Sequence, residues 1–347
     1  MKNENAPRRI TWQRVSLMIL CVLLALILTV MIAATAYVHR LLGFVTDNNE
    51  DLNATLPPEV LATATSSLAV GPGFTGPSTE YVPQATLPPV QDDRDIINIL
   101  LIGEDRKGEA YRQRSDSMIL CSFNTKTNKL TMISFLRDTY ISKIPGYWSD
   151  KLNAAYQYGG PFTLKQTLAA YFGVHVDACV MVQFEGFIGV IDMLGGVDIN
   201  LTEKEVKYMN ENNQLGWDLK AGPNHLDGVK ALFYSRIRTI DMDAKRAQRQ
   251  RNVLTALINA YKNKPLTEMI TLTEEIVATG FVRTDMKSTA ELMHYVRLLF
   301  PMLSTMSIGN QQIPAEGTYE NMSVGNIVDA KVCDLDANRK ILEALLK

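Results

Sequence analysis

The segment IINILLIGEDRKGEAYRQRSDSMILCSFNTKTNKLTMISFLRD (residues 96–138) decides the fold of this chain. It contains three short apolar runs, at Ile96–Ile102, Met118–Phe123 and Leu130–Phe135. Apolar runs of this length, bounded by glycine or polar residues, are typical of buried strands. The polar sequence NTKTNK between the second and third runs predicts a hairpin. A sheet is therefore expected from the start of this segment.

Strands and helices alternate along the rest of the chain. Further strands are predicted at Cys179–Phe184, at Val197–Leu201 and near Ser307. Helices are predicted at Pro161–Tyr171, Gly186–Leu194, Gly228–Tyr234 (capped by Asp227), Asp243–Lys262, Leu266–Thr279 and Ser288–Phe300, and from Asp336. Such alternation is typical of helices packed on both faces of a sheet. We predict a three-layer α/β/α domain with a mixed central sheet over residues 95–347.

The overall composition excludes some classes of protein. The 347 residues include 35 Lys+Arg and 37 Asp+Glu, for a formal net charge of −2. A nucleic-acid-binding protein usually shows a basic excess, so we expect no nucleic-acid partner. Four cysteines are too few for a disulfide scaffold. Cys121 and Cys179 are expected in the core, and Cys333 could reach one of them outside the cytoplasm.

The N-terminal region predicts a membrane anchor. No residue from Val15 to Val38 is charged, and a helix of this length, roughly 36 Å, can cross a ~30 Å hydrocarbon core. Basic residues precede the run, so residues 1–14 are expected in the cytoplasm and the remainder outside. The alternative is a signal peptide cleaved at Ala34-Thr35-Ala36, but the apolar run exceeds the ~7–15 residues of a typical signal core.

The segment at residues 39–94 is expected to be an extracellular linker. Seven of the 14 prolines fall within residues 45–94, and Thr, Ser, Gly and Asn fill much of the remainder. Such a segment buries too little apolar surface to offset its ordering entropy. We interpret it as a tether between the anchor and the folded domain. A Pro-rich recognition sequence is the alternative, but no basic-flanked PxxP motif is present.

Arginines near residue 240 predict an anion site. Arg236 and Arg238 are two residues apart, so on an extended segment they would share a face. Arg246, Arg249 and Gln250 have the i, i+3, i+4 spacing that shares a helix face, whereas Arg251 points elsewhere and is expected in solvent. The planar guanidinium binds phosphate through two hydrogen bonds. The alternative is a set of solvated or salt-bridged surface arginines.

Aspartates at strand ends could complete such a site. Asp105 follows the first strand, Asp116 precedes the second and Asp138 follows the third. Carboxylates at strand ends are where α/β proteins place ligand and metal sites. Two of them could share Mg²⁺ with a pyrophosphate. The alternative is that each aspartate caps a turn, as Asp116 in RSDS could.

Seven blocks of sequence together resemble the LytR–CpsA–Psr family of envelope proteins. They are NILLIGEDRKG (98–108), RSDSMIL (114–120), SFLRDTYISKIPGY (134–147), DKLNAAYQYGGP (150–161), FEGFIGVIDMLGGVDINL (184–201), AGPNHLDGVKALFYSRIR (221–238) and DAKRAQRQRNVL (243–254). Their order, their spacing and the preceding anchor match the family. The resemblance is strong over residues 96–262 and weaker over 263–347, where the family usually carries a variable extension of the same domain.

The resemblance implies a phosphotransferase on the outer face of the bacterial cell membrane. Family members attach a glycopolymer (wall teichoic acid, capsule or similar) carried on undecaprenyl pyrophosphate to peptidoglycan. The acceptor is the 6-hydroxyl of N-acetylmuramic acid, and the new link is a phosphodiester. The older family label, cell envelope-related transcriptional attenuator, reflects regulatory phenotypes.

The resemblance also implies roles for single residues. Asp105 and Asp116 match the acids associated with Mg²⁺ and the pyrophosphate. The residues that match the phosphate-binding set are Arg137, Arg236, Arg238, Arg246, Arg249 and Gln250. Asp243 matches an acid that could assist the acceptor hydroxyl, although a shortened loop makes Asp241 a competitor. Other departures are Ser117 in place of Thr, Leu136 in place of Pro, and two candidates, Arg106 and Lys107, for the basic role after Asp105.

A lipid substrate needs an apolar tunnel, which we expect between the sheet and the helices at Phe184–Leu194 and Val253–Tyr261. Those residues could equally be plain core. Two other functions remain open from the sequence: a hydrolase that cleaves the lipid pyrophosphate, and a non-catalytic, lipid-binding envelope regulator. The short segment before the predicted anchor argues against direct DNA binding by such a regulator.

Overall fold

The computed structural model describes residues 95–104, 112–238, 240–241, 243–287 and 305–346, together with 291, 294–295 and 298–303. The expected segments 1–14, 15–38 and 39–94 lie outside the described residues, as do Asp105, Arg106 and Lys107. Within the described part of the chain, no helix combines the length and the apolar character needed to span a membrane. The division of the chain into these segments therefore stays a prediction.

The described residues form twelve strands and seven α-helices. The strands are β1 (Ile96–Glu104), β2 (Ser115–Asn124), β3 (Lys129–Phe135), β4 (Tyr140–Ile141), β5 (Asp150–Lys151), β6 (Ala178–Gln183), β7 (Val197–Leu201), β8 (Gly222–Leu226), β9 (Val282–Thr284), β10 (Ser307–Ile313), β11 (Tyr319–Val324) and β12 (Ile327–Cys333). The helices are α1 (Leu152–Phe172), α2 (Phe184–Met193), α3 (Glu203–Asn212), α4 (Gly228–Ser235), α5 (Asp243–Lys262), α6 (Leu266–Ala278) and α7 (Leu335–Leu345).

The central sheet has six strands in the order β10-β3-β2-β1-β6-β9. The pairs β1–β6 and β10–β3 are parallel, and the other three pairs are antiparallel. This arrangement confirms the predicted mixed sheet and the β2–β3 hairpin. The pairs β4–β5, β7–β8 and β11–β12 form small separate sheets. Strands β4, β5, β8, β9, β11 and β12 and helix α3 were not predicted from the sequence.

Alternating side chains of the sheet serve two cores. On one face, Leu100, Met118 and Leu120 pack in a cluster with residues of α1 and α7. On the other face, Ile119 and Cys121 pack with partly buried residues of α5. Because successive residues of a strand point to opposite faces, β2 alone contributes to both layers. The helix–sheet–helix order follows from this alternation.

The first helix differs from its predicted bounds. It begins at Leu152 rather than at Pro161, and a kink at Gly159 and Gly160 separates its two parts. Gly160 has a φ of 67°, which breaks the helix, and Pro161 restarts it with a φ suited to a first turn. Gly173, with a φ of 69°, ends the helix as predicted.

Cysteines and capping residues follow the sequence analysis closely. Cys121 and Cys179 are buried, and the described cysteines Cys121, Cys179 and Cys333 are all free thiols. Asp227 caps α4 by accepting a hydrogen bond from the backbone N–H of Lys230. The helix predicted at Ser288–Phe300 falls mostly outside the described residues.

Helices α2 and α4 approach closely at a glycine. A Cβ atom on Gly228 would lie 2.4 Å from the carbonyl oxygen of Ile188, and that oxygen cannot rotate away. The close approach fixes α4 against α2. Both helices contribute to the cavity described below, so this contact bears on the width of the cavity.

We expect Gly228→Ala to destabilise the protein by about 1–3 kcal/mol, because the added methyl group overpacks the helix contact. Thermal denaturation should show a Tm lowered by several degrees. Gly309→Ala is the matched control, since a Cβ there meets neighbours only at ordinary contact distances of 3.6–3.9 Å. Equal Tm values for the two variants would contradict the packing argument.

Candidate active site: an apolar cavity joined to a polar cleft

A cavity of about 250 Å³ lies between the sheet and the helices α2, α4 and α5. Its apolar lining comes from Leu101, Ile119, Val182, Phe184, Phe187, Val190, Leu232, Val253, Leu254 and Leu257, among others. We call it the apolar cavity. It lies where the sequence analysis placed a lipid tunnel, between α2 and the second half of α5. Its occupant stays a prediction.

A second, smaller depression adjoins the apolar cavity and is mostly polar. Its lining includes Ser134, Arg137, Asp138 and Lys331. We call it the polar cleft. Four residues line both spaces: Asp116, Ser117, Arg246 and Gln250. The boundary between an apolar and a charged environment therefore runs through these four side chains.

Asp116 is held between two arginines. The Nη1 atom of Arg137 lies 2.5 Å from Asp116 Oδ1, and Arg238 Nη2 lies 3.4 Å from the same oxygen. Ser117 donates its hydroxyl proton to Gln250 Oε1 at 3.0 Å. These contacts join the start of β2 to the loop after β3, to the segment after α4 and to α5. Four parts of the sequence that are far apart in the chain are thereby brought to one point.

Arg236 and Arg238 line the same cavity, although they do not lie on an extended segment. Arg236 is the C-cap of α4, with φ −102° and ψ −2°, so the predicted strand geometry is wrong. Its guanidinium lies over the ring of Phe184, 4.4 Å from the ring centroid. Both arginines still line the apolar cavity. The helix end turns the chain so that both side chains reach the same space.

Helix α5 places its polar residues on two sides. Arg246 and Gln250 line both the apolar cavity and the polar cleft, as the shared-face argument predicted. Arg249 differs, because neither space has it in its described lining. Its Nε donates to Glu205 at 2.7 Å, and Nη1 donates to Asp241 at 2.9 Å and to the carbonyl oxygen of Ile237 at 3.2 Å. Its guanidinium therefore serves the structure, and its predicted role as a phosphate ligand stays untested.

Opposite charges stabilise the buried guanidinium of Arg249. Burial alone would lower the pKa of Arg249, but its hydrogen bonds with Asp241 and Glu205 raise that pKa above the usual value. Asp241 is thus already paired with Arg249. The side chain of its competitor for the acidic role, Asp243, lies outside the described residues.

Arg251 is buried, so the prediction that it is solvated is wrong. It is 3% exposed and donates to Ser134 Oγ at 2.6 Å and to Gln248 Oε1 at 2.7 Å. The physical reason is the position of α5, which packs against the sheet on one side and against β7 on another. The side of the helix that carries Arg251 is therefore buried.

The sequence analysis missed two lysines near the cleft. Lys151 Nζ donates to Asp138 Oδ1 at 3.0 Å, and Arg137 Nε lies 3.4 Å from Asp138 Oδ2. Lys331, on β12, lines the polar cleft. Burial alone would raise the pKa of Asp138, but the hydrogen bond from Lys151 and the charges of Arg137, Lys151 and Lys331 hold it below the usual value. The family-like block at residues 150–161 could have indicated Lys151, whereas no motif indicated Lys331.

The combined lining carries an excess of positive charge. Among the described residues, the cations are Arg137, Arg236, Arg238, Arg246 and Lys331, and the carboxylates are Asp116 and Asp138. Five cations against two carboxylates leave an excess of three. Such a site suits a ligand with several anionic oxygens. The adjoining apolar cavity suits a hydrocarbon chain on the same ligand.

The described acidic residues supply too few ligands to form a metal site by themselves. Within the described ranges, no group of three or more His, Cys, Asp or Glu side chains is arranged to hold a metal ion. Asp116 supplies one carboxylate at the junction, and Asp105 lies outside the description. This donor set fits Mg²⁺ only together with ligand phosphates, which is how Mg²⁺ is often bound.

The fold and site define a class of mixed α/β protein in which a cationic polar cleft adjoins an apolar cavity, an arrangement that suits a ligand with an anionic head and an apolar tail. The sequence model of the LytR_cpsA_psr family matches residues 77–341. The chain belongs to the LytR–CpsA–Psr family, as the sequence blocks predicted.

Two relatives carry different names. One is the polyisoprenyl-teichoic acid–peptidoglycan teichoic acid transferase TagU of Oceanobacillus iheyensis, 37% identical over 175 residues. That match covers 48% of this chain and 52% of TagU, so it spans about half of the relative's length. The other is the regulatory protein MsrR of Staphylococcus aureus, 30% identical over 261 residues, covering 74% of this chain and 76% of MsrR.

Solved structures of TagT share the fold at 26% sequence identity. The structure described as TagT bound to LIIa-WTA has a TM-score of 0.59, with 76% of this chain and 94% of that chain covered. The structure with bound octaprenyl pyrophosphate lipid has a TM-score of 0.56, with 76% and 95% covered. The mixed α/β architecture is therefore that of a protein solved with a polyprenyl pyrophosphate.

We expect Arg249→Met to destabilise the protein by about 3 kcal/mol or more, because it leaves Glu205 and Asp241 without their buried cation. Urea denaturation measures the change. Lys207→Met is the matched control, since the exposed Lys207–Glu211 pair spans 4.0 Å and contributes at most about 0.5 kcal/mol. A small loss for Arg249→Met would show that the Arg249 contacts do not hold the structure.

Proposed function

We propose that this protein is a membrane-anchored phosphotransferase that attaches a polyprenyl-pyrophosphate-linked glycopolymer to peptidoglycan. The observation that carries the proposal is the direct junction of the apolar cavity with the cationic polar cleft. A lipid pyrophosphate likewise has an apolar chain joined directly to an anionic head. The transferase name of TagU, and the octaprenyl pyrophosphate in a TagT structure, support the proposal.

The described side chains would act mainly by positioning and by neutralising charge. Phosphoryl transfer needs little covalent chemistry from a protein. The lipid chain would lie in the apolar cavity. Arg236, Arg238 and Arg246 would then face the pyrophosphate at the mouth of that cavity. Their charges would stabilise the lipid phosphate as it leaves.

The acceptor would approach from the side opposite to the lipid, because in-line displacement places the nucleophile and the leaving group on opposite sides of the phosphorus. The polar cleft, which shares four lining residues with the apolar cavity, would receive the acceptor. The acceptor is proposed to be the 6-hydroxyl of N-acetylmuramic acid, with Asp243 assisting its deprotonation. The product would be a phosphodiester and a lipid monophosphate.

Mg²⁺ is part of the proposal. Asp116, together with Asp105, would hold it against the pyrophosphate, where the ion supplies further neutralisation of phosphate charge. We also propose that residues 15–38 anchor the chain in the bacterial cell membrane with the catalytic domain outside. Both statements rest on the sequence.

The test is transfer in vitro from a lipid-pyrophosphate oligosaccharide to peptidoglycan oligomers with Mg²⁺. The proposal expects a product joined to muramic acid together with released lipid monophosphate. Release of lipid monophosphate without a joined product would overturn the transferase and indicate a hydrolase. Binding of the lipid without any turnover would indicate a non-catalytic lipid-binding protein.

Arg238→Ala should lower kcat by about 10²–10³-fold, because it removes one cation that faces the pyrophosphate. The Arg238 side chain is 49% exposed, so the fold should survive the change. Lys207→Ala, an exposed residue of α3 away from both spaces, is the control and should keep full activity. Unchanged turnover in Arg238→Ala would remove this residue from the site.

Val190→Trp should block part of the apolar cavity and weaken binding of long-chain polyprenyl pyrophosphate by tenfold or more. Binding of inorganic pyrophosphate should stay within about twofold, because the cationic lining is untouched. Val229→Trp is the control, since Val229 is exposed and outside the described lining. Equal losses for both ligands would mean that the cavity does not hold the lipid.

A further inference from the structure

Arg251 is a buried cation without a carboxylate. The residue is 3% exposed, and its two hydrogen-bond acceptors, Ser134 Oγ and Gln248 Oε1, are both neutral. No carboxylate of the described residues forms an ion pair with it. Burial lowers the pKa of Arg251 to about 10, so the side chain keeps its charge at neutral pH. A buried charge of this kind destabilises a fold unless something compensates it.

Arg249, two residues earlier on the same helix, is also a buried guanidinium, but carboxylates compensate its charge. It is 4% exposed and is paired with both Glu205 and Asp241. At Arg249 the chain therefore supplies carboxylates that compensate a buried guanidinium. At Arg251 the described part of the chain supplies no carboxylate. The compensating charge must come from outside the described protein groups.

Ser134 connects Arg251 to the polar cleft. Its Oγ accepts a hydrogen bond from Arg251 Nη1, and the same residue lines the cleft beside Arg137 and Arg246. Because the oxygen is already an acceptor, the hydroxyl proton is left to donate elsewhere. No described residue accepts it. The hydroxyl is thus polarised by a cation and belongs to a residue that lines the cleft.

We propose that Ser134 and Arg251 form an anion-binding relay in the polar cleft. Ser134 donates its proton to a phosphoryl oxygen of the pyrophosphate, and Arg251 behind it provides the matching positive charge. Ser134 is the residue that touches the ligand, and Arg251 is a positioning residue. This inference rests on the site of the proposed function, but it concerns binding of the anion rather than transfer.

The first test is calorimetric titration of the full-length chain, in detergent micelles and Mg²⁺ buffer, with inorganic pyrophosphate. Ser134→Ala should weaken binding about tenfold, since one hydrogen bond to a charged group is lost. Ser134→Thr keeps the hydroxyl and should bind within about twofold of the wild type. Ser122→Ala removes the hydroxyl of a buried serine on β2 outside both spaces and should change nothing.

The second test separates a binding role from a structural one. Arg251→Met removes an uncompensated charge and keeps most of the side-chain volume, so the Tm without ligand should stay equal or rise. The increase in Tm caused by pyrophosphate should become smaller in the same variant. A purely structural arginine would give the opposite pattern, a lower Tm with unchanged affinity.

The outcomes distinguish this inference from the proposed function. The relay is wrong if Ser134→Ala binds pyrophosphate like the wild type, or if the wild type does not bind it. If Ser134→Ala weakens binding while the wild type transfers no glycopolymer, the relay stands and the transferase proposal fails. If the wild type transfers glycopolymer and both variants bind normally, the transferase stands and the relay fails.

Discussion

Helix α5 contacts both an apolar and a charged environment. The geometry of the site depends on where along the helix one environment changes to the other. The second half of α5 presents Val253, Leu254 and Leu257 to the apolar cavity, while its first half presents Arg246 and Gln250 to the junction. The change from charged to apolar takes about one helical turn, or roughly 5 Å. An amphiphile that binds along this helix must change polarity over the same distance. The other parts of the site, from β2, the loop after β3 and α4, are arranged around that transition.

The sequence predicted elements better than it predicted side-chain environments. The bounds of α5, the hairpin and the mixed sheet all follow from local patterns of apolar and turn-forming residues. The environments of Arg249 and Arg251 do not, because periodicity gives the direction of a side chain but not what lies there. Glu205, the partner of Arg249, is 44 residues away, and Ser134, the partner of Arg251, is 117 residues away. Neither contact leaves a spacing signal.

The wrong geometry for Arg236 and Arg238 is instructive for a different reason. Spacing by two predicts an extended segment, but the same pair lies at the end of a short helix capped by Asp227. Both side chains still line the apolar cavity, and Arg249 donates to the carbonyl oxygen of Ile237, the residue between them. A buried ion pair outside the lining thus holds the segment that carries two lining arginines.

The β11–β12 hairpin contributes one wall of the polar cleft and lies outside the central sheet. Lys331 enters the polar cleft from β12, and its backbone N–H donates to the carbonyl oxygen of Asp138 at 2.8 Å. The hairpin is not part of the central six strands, and it contacts the loop after β3 through a parallel bridge between Thr139 and Lys331. Substitutions or length changes in it can therefore alter one wall of the cleft without disturbing the strands and helices that hold the arginines. For the proposed transferase, such changes would alter contacts with the polymer at the cleft and leave in place the arginines that line the apolar cavity.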